Sequence, residues 1–193
     1  MKPRRDALAL QLNRYRFTVA EYDRMIEAGI FGEDDRVELI DGEILQMSPI
    51  GQGHASVVRR MNWLLMKLVG DAAIVDVQNP IHLDEYGEPR PDLALLTPRS
   101  DFYREDHPDA RDVFLLIEVA DSSLDFDRQI KLPRYAPAGI PEVWLVNLNA
   151  DLVEVHRDPT VDGYRTVEVR RRGEWLTPLA FPGHEVAVTE ILG

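Results

Sequence analysis

The chain of 193 residues carries a formal net charge of −12 and contains no cysteine. The missing cysteines exclude disulfides, thiol nucleophiles and cysteine-ligated zinc or iron–sulfur centres. The negative charge argues against loose electrostatic binding of nucleic acid, yet it does not exclude a nuclease, because a metal-binding cleft is acidic before a cation enters it.

The sequence contains no segment that is predicted to span a membrane. No apolar run reaches the roughly 18 residues needed to span a bilayer. Residues 1–16 form a polar arm that carries charges throughout and lacks the apolar stretch of a secretory signal. We therefore expect a cytoplasmic protein without a membrane partner, and the length suits a single domain over residues 1–193.

The N-terminal third predicts a helix, a hairpin and a second helix. Thr18 and Glu21 are spaced as a capping box, which starts a helix over residues 19–28. The pair Asp41-Gly42 is a strong two-residue turn, so Val37–Met47 reads as a hairpin. Apolar residues at helical spacing then predict a helix over residues 54–69, ended by Gly70.

The remainder predicts strands around one further helix at 124–138, with a polar loop at 100–112. The predicted strands are 73–77, 81–83, 93–96, 113–119, 143–146, 152–156, 164–169 and 186–188. Strand 113–119 is almost continuously apolar, as in a central strand buried on both faces. With the helix and the strand that follow, it predicts a right-handed parallel βαβ unit. The order indicates an α/β fold with a mixed β-sheet flanked by helices and a β-rich C-terminal extension.

Familiar catalytic motifs are absent from the sequence. It contains no P-loop, no GxGxxG, no HExxH and no GxSxG. The five histidines are too dispersed to predict a ligand cluster. A dinucleotide enzyme, a P-loop ATPase and a serine hydrolase therefore lose support.

Two carboxylates stand out instead. Asp92 follows Pro91 and opens the strand at 93–96, and Glu118 lies inside the apolar run 113–119. A carboxylate within such a run costs several kcal/mol unless it is paired or binds a metal. The alternatives are that Glu118 reaches water or an arginine at a strand end, and that Asp92 is an ordinary loop residue.

The order of these acids resembles the PD-(D/E)XK nuclease signature, in which two acids hold magnesium against the scissile phosphate. One feature departs from it, because the expected lysine position is Ala120. A lysine occurs later, at Lys131, where Asp127, Lys131 and Tyr135 share a helix face by their spacing. Lys131 could point at the metal site, or it could form an ordinary surface pair with Asp127.

A longer resemblance covers residues 20–160. The segments 37–44, 90–94, 116–119 and 131–146 are similar, in the same order, to those of the Uma-two (Uma2) family of the restriction-endonuclease-like superfamily. The resemblance implies that Asp92 and Glu118 are metal ligands, with the Val119 carbonyl as a candidate third ligand. It further implies that Lys131 replaces the displaced motif lysine.

Three further residues lie in or near these segments. Glu38 matches the N-terminal acid that often completes such a site, or it is a solvated hairpin residue. His54 lies near a position where relatives often carry histidine, but is more often a surface residue. Tyr135 is expected to serve in packing.

The leading hypothesis is therefore a DNA endonuclease dependent on Mg²⁺, with Mn²⁺ as a possible substitute. Glu38, Asp92, Glu118 and Lys131 are its expected catalytic residues, and a homodimer is expected because two-strand cleavage needs two sites. DNA capture would need a basic patch, for which the candidates are Arg59, Arg60 and Lys67, with Arg170–Arg172 less favoured. The rivals are a non-catalytic interaction or regulatory module and a carboxylate-pair glycosidase.

Overall fold

The structure is a computed structural model that describes residues 14–32 and 35–193. All but the last three residues of the expected polar arm lie outside this part of the chain. The described helices are α1 (Val19–Glu27), α2 (Gln52–Val69), α3 (Leu124–Phe126), α4 (Leu132–Tyr135) and α5 (Val188–Leu192). A π-helical turn at Asp127–Lys131 joins α3 to α4, and short 3₁₀ turns cover Gly70–Ala72 and Ala110–Asp112.

The centre of the molecule is a mixed sheet of six strands in the order β3-β4-β5-β6-β7-β8. Its strands are β3 (Ile74–Val77), β4 (Leu93–Leu96), β5 (Val113–Ala120), β6 (Glu142–Asn147), β7 (Leu152–Thr160) and β8 (Gly163–Arg171). Only β5 and β6 pair in parallel, as the predicted βαβ unit requires. The strands of the expected C-terminal extension, β7 and β8, continue this sheet.

Two small sheets complete the fold. β1 (Val37–Ile40) and β2 (Glu43–Gln46) form the predicted hairpin. Its turn needs positive φ at both central residues, which Asp41 (54°) and Gly42 (76°) provide. A side chain at Gly42 would also meet the Cβ of Arg16 at 2.7 Å. β9 (Trp175–Leu176) pairs with β10 (Val186–Ala187) near the C-terminus.

The sheet is buried on both faces, which explains the continuous apolar run of β5. Alternate residues point to opposite sides of a strand. Leu115 and Ile117 therefore pack with α2 and α5 on one face, while Leu116 and Ala120 pack with the α4 segment on the other. The helical segment after β5 is thereby held against the end of the strand that carries Glu118.

Several predicted boundaries were wrong. Residues 81–83 form no strand, because this segment makes only isolated bridges, such as that of His82 with Asp109. The helix expected over 124–138 ends at Tyr135 and contains the π-helical turn. Strand β9 was missed, and Val188 begins α5 instead of extending a strand. These segments are only two to five residues long, so local sequence carries little signal for them.

Within the described residues, none of the helices combines the length and the apolar character that crossing a bilayer would need.

Candidate metal centre

The candidate site is a cavity of about 280 Å³ beside the start of β4 and the end of β5. We call it the acid–lysine cavity. It is lined by residues from five parts of the chain. Those used below are Glu38, His54, Asp92, Glu118, Asp127 and Lys131. The structure therefore brings together all four residues that the sequence predicted as catalytic, although they come from β1, the start of β4, β5 and the π-helical turn.

Asp92 lies directly before β4, opposite Glu118 in the antiparallel register that pairs Leu93 with Ile117. Its Oδ2 accepts a hydrogen bond from the Val119 N–H and lies 2.9 Å from His54 Nε2. Its Oδ1 accepts a hydrogen bond from the Gln78 amide at 3.0 Å. Burial alone would raise the pKa of Asp92, but these hydrogen bonds, led by that of His54, hold it below its ordinary value.

Glu118 is buried in the middle of the apolar strand β5, at 3% exposure. Its Oε1 accepts a hydrogen bond from the Tyr135 hydroxyl at 2.5 Å. Burial raises the pKa of Glu118 well above its usual range, and the carboxylates of Asp127 and Asp92 add to this, while the Lys131 ammonium opposes it. A further positive charge beside Glu118 would therefore stabilise its ionised form.

Lys131 lies at the end of the π-helical turn and is 4% exposed. Its Nζ lies 3.2 Å from Glu38 Oε2 and 3.2 Å from Glu118 Oε1, and it donates to the Arg90 carbonyl. Burial alone would lower the pKa of Lys131, but the surrounding carboxylates, led by Glu118 and Glu38, raise it above its ordinary value. The ammonium therefore stays charged, and Lys131 points toward the two acids as predicted, not into the alternative surface pair with Asp127.

The position of Lys131 explains how the site can lack a lysine two residues after Glu118. Ala120 points to the same face of β5 as Glu118 and is fully buried against Leu132 and Tyr135. A lysine there would lie among apolar side chains. The wider π-helical turn instead presents Lys131 from the neighbouring segment, and such turns often occur at functional sites.

Glu38 is not a solvated hairpin residue. It is 2% exposed, and its Oε2 accepts a hydrogen bond from the Arg90 N–H at 3.0 Å besides its contact with Lys131. Asp127 is likewise buried, and its carboxylate accepts a hydrogen bond from the Ser123 hydroxyl. Burial raises the pKa of Asp127. Four buried carboxyl groups, those of Glu38, Asp92, Glu118 and Asp127, thus lie around one lysine.

The sequence did not predict the contacts that three residues make with the acids of the site. His54 contacts Asp92, and its Nδ1 is buried without a hydrogen-bond partner in the described part of the chain. Gln78 was not singled out at all, although its positive φ of 57° marks an unusual backbone position. Tyr135 was expected only to pack. A buried tyrosine hydroxyl needs a partner, and that rule could have linked it to a nearby acid.

The carboxyl oxygens of the cavity supply some, but not all, of the ligands that a hard divalent cation takes. Across residues 14–32 and 35–193, no three metal-ligating side chains already form a cation cage. Magnesium does not need one, because it commonly uses one or two carboxylates and keeps several waters. Asp92 and Glu118 supply such a pair of carboxyl groups on paired strands.

A larger depression of about 1220 Å³ lies beneath α1. Two of its arginines are paired with neighbouring acids, in Arg99–Asp101 and Arg111–Asp109. Burial raises the pKa of Glu88, on its wall, to about 7. Nothing there matches the concentration of buried acids around Lys131, so size alone does not identify the site.

Comparison with known proteins gives one family and one fold. The family model Uma2, described as "Putative restriction endonuclease", matches residues 19–189. The solved structure of "a putative nuclease belonging to DUF820" from Anabaena variabilis superposes with a TM-score of 0.70 at 15% identity. The match covers 91% of this chain and 97% of that one, and it shows a shared fold. No curated protein matches the sequence.

Proposed function

The chain belongs to the Uma2 family, and we propose that it is a metal-dependent nuclease that hydrolyses phosphodiester bonds in DNA. The proposed ion is Mg²⁺, with Mn²⁺ as a substitute. The observation that carries the proposal is the acid–lysine cavity, in which Glu38, Asp92, Glu118 and Lys131 converge. The restriction-endonuclease-like fold, seen also in the DUF820 structure, supports it.

In this proposal Asp92 and Glu118 hold the ion, and Lys131 assists the reaction electrostatically. A bound divalent ion would polarise the phosphoryl group and lower the pKa of an attacking water. Lys131 is fixed by Glu38 and Glu118, and its raised pKa keeps it protonated. It therefore serves as a fixed positive charge that stabilises the developing negative charge, not as a base.

DNA capture must rely on local positive charge, because the chain as a whole repels DNA. Arg59 and Arg60 are exposed on α2, whose first turn carries His54 at the cavity. The run Arg170–Arg172 is less suitable, since Arg170 pairs with Glu168 and Arg172 with Asp151. We further propose a homodimer, because cleavage of both strands needs two sites.

A plasmid-nicking assay at low salt tests the function. The wild-type protein is expected to nick supercoiled DNA with Mn²⁺ or Mg²⁺, to stop when EDTA is added, and to weaken steeply as salt rises. The steep salt dependence is expected because salt weakens the contacts of basic side chains with DNA phosphates, and a chain with a net charge of −12 has no other attraction for DNA. No nicking with any divalent metal would instead favour a non-catalytic interaction module that keeps the fold.

Metal binding can be tested without any substrate. We expect saturating Mn²⁺ to raise the melting temperature by about 5–10 °C, because a ligand that binds only the folded state stabilises it. Asp92→Ala should abolish the rise, while Glu190→Ala, which removes an exposed acid on α5, should keep it. An equal rise in wild type and Asp92→Ala would locate the ion elsewhere.

The same measurement has an expected pH dependence. Glu118 must lose its proton to bind a cation, and its pKa is raised in the folded protein. Protons therefore compete with the metal until the pH passes that raised pKa. The metal-induced rise in melting temperature should be smaller at about pH 5.5 than at about pH 8, whereas a rise that is independent of pH would exclude Glu118 as a ligand.

A further inference from the structure

One outer edge of the central sheet is open to pairing. β3 is the first strand of the sheet and pairs only with β4. Gln78 donates its N–H to the Asp92 carbonyl, and antiparallel pairs alternate between bonded and non-bonded. The N–H and C=O groups of Val75 and Val77 therefore point away from β4, and no hydrogen bond reaches them from the described residues.

Exposed apolar side chains flank this open edge. Met66 on α2 and Phe102 in the loop between β4 and β5 line a groove of about 400 Å³ together with Ile74 and Val75 of β3. Trp63 lies one helical turn before Met66 and shares its exposed side of the helix. Trp63, Met66 and Phe102 are 57%, 59% and 74% exposed. We call this surface, with the outer side of β3, the edge groove.

The opposite edge of the sheet is built differently. The exposed side chains of β8 include the charged residues Arg165 and Arg171, beside Val167 and Val169. Charges on an edge strand prevent pairing with other chains. In β3, Asp76 is the one charged residue of four. β3 thus carries fewer charged side chains than β8.

The charge of the edge groove favours a second copy of this chain as its occupant. Two copies with a net charge of −12 repel each other over most of their surfaces. The groove lining contains one acid, Asp71, and one base, Arg99, which is itself paired with Asp101. Lys67 lies over the Trp63 ring, so charges of both signs are interspersed there. A strongly basic or acidic partner would find no uniformly complementary charge there.

The area is sufficient for a dimer. Side chains of this size at these exposures present on the order of 400 Å² of largely apolar surface per copy. Two copies, with the paired strands added, approach the roughly 1,000 Å² that a specific interface needs. Patches of several hundred Å² on a soluble protein are commonly functional.

We infer that the edge groove is the self-association surface of this protein, in which β3 pairs antiparallel with β3 of a second copy about a two-fold axis. With Val75 opposite Val75 of the partner subunit, Asp76 faces the partner's Ile74, which avoids a contact between like charges. The two sheets then form one continuous sheet. This inference locates the homodimer of the proposed function, but it does not depend on nuclease activity.

Sedimentation equilibrium on the full chain tests the interface. The wild type is expected to be a dimer. Val75→Pro removes an outward N–H that β4 does not use, and it should raise the dimer dissociation constant at least about tenfold. Because proline can also strain the strand, the pair Trp63→Ser/Phe102→Ser provides a second test with the backbone unchanged, and we expect a similar rise.

Trp175→Ser is the matched control, since Trp175 is 55% exposed in β9 and lies outside the groove. It should leave the dissociation constant unchanged. A wild-type monomer at the highest concentration reached overturns the inference, as does a dimer that Trp63→Ser/Phe102→Ser leaves intact. A dimer of the expected behaviour that cleaves no DNA would count against the proposed function alone.

Discussion

Replacing either Glu118 or Lys131 with alanine is expected to reduce DNA nicking by about 10²–10³-fold or more. Glu118→Ala removes one of the two proposed metal ligands. Lys131→Ala removes a fixed positive charge that is buried between Glu38 and Glu118. Both changes act on the transition state, so raising the DNA concentration should not restore the rate.

The measurement is a time course of plasmid nicking at saturating Mn²⁺. Glu190→Ala is the control, because it removes an exposed acid far along the chain from the cavity. Circular dichroism should show that each variant is folded at the assay temperature. Nicking that continues unchanged in Glu118→Ala would identify a contaminating nuclease and contradict the proposed mechanism.

Lys131→Met is expected to lower the free energy of unfolding by about 3–5 kcal/mol near pH 8. Methionine fills a similar volume but leaves Glu38 and Glu118 buried without their shared cation. A buried charge without a partner costs much more than the pair contributed. The double variant Lys131→Met/Glu118→Gln should regain part of the loss, because it removes one of the two unpaired carboxylates.

The loss should depend on pH in a defined direction. Without Lys131, the folded-state pKa of Glu118 rises further, because the ammonium lowers it in the wild type. Stability from an acid whose folded pKa is raised is present below its ordinary pKa and is lost as the pH increases. The difference between wild type and Lys131→Met should therefore shrink towards about pH 5.

Urea unfolding at the two pH values measures this difference. Lys67→Met provides the matched control, since Lys67 is another lysine but lies over the Trp63 ring on α2. Its loss should cost about 1 kcal/mol or less. If Lys131→Met were as stable as the wild type at both pH values, the acid–lysine cluster would not be stabilised by its charges.

The elements that the sequence predicted correctly are those with strong local signals. The capping box of Thr18 and Glu21 begins α1, and Asp41-Gly42 forms the hairpin turn. The apolar run at 113–119 is the central strand β5, and it pairs in parallel with β6. The family, and with it the restriction-endonuclease-like fold, could also be identified from short segments in order.

The sequence also assigned Asp92 and Glu118 to two predicted strands, and the structure shows that these strands are neighbours. The register that pairs Leu93 with Ile117 has this consequence, since Asp92 and Glu118 are the next residues along their strands. Their roles as metal ligands stay a prediction. The pattern was readable because each acid interrupts or opens an apolar segment, where an uncompensated charge is costly.

What only the tertiary structure decided is which distant groups meet those acids. Lys131 contacts Glu38, which is 93 residues away in the sequence, and His54 contacts Asp92, which is 38 residues away. The local spacing of Lys131 fitted a surface pair with Asp127 equally well. Contacts of this kind depend on the packing of helices against the sheet and on the π-helical turn. Local periodicity encodes which face of a segment is buried, but not which distant side chain it meets.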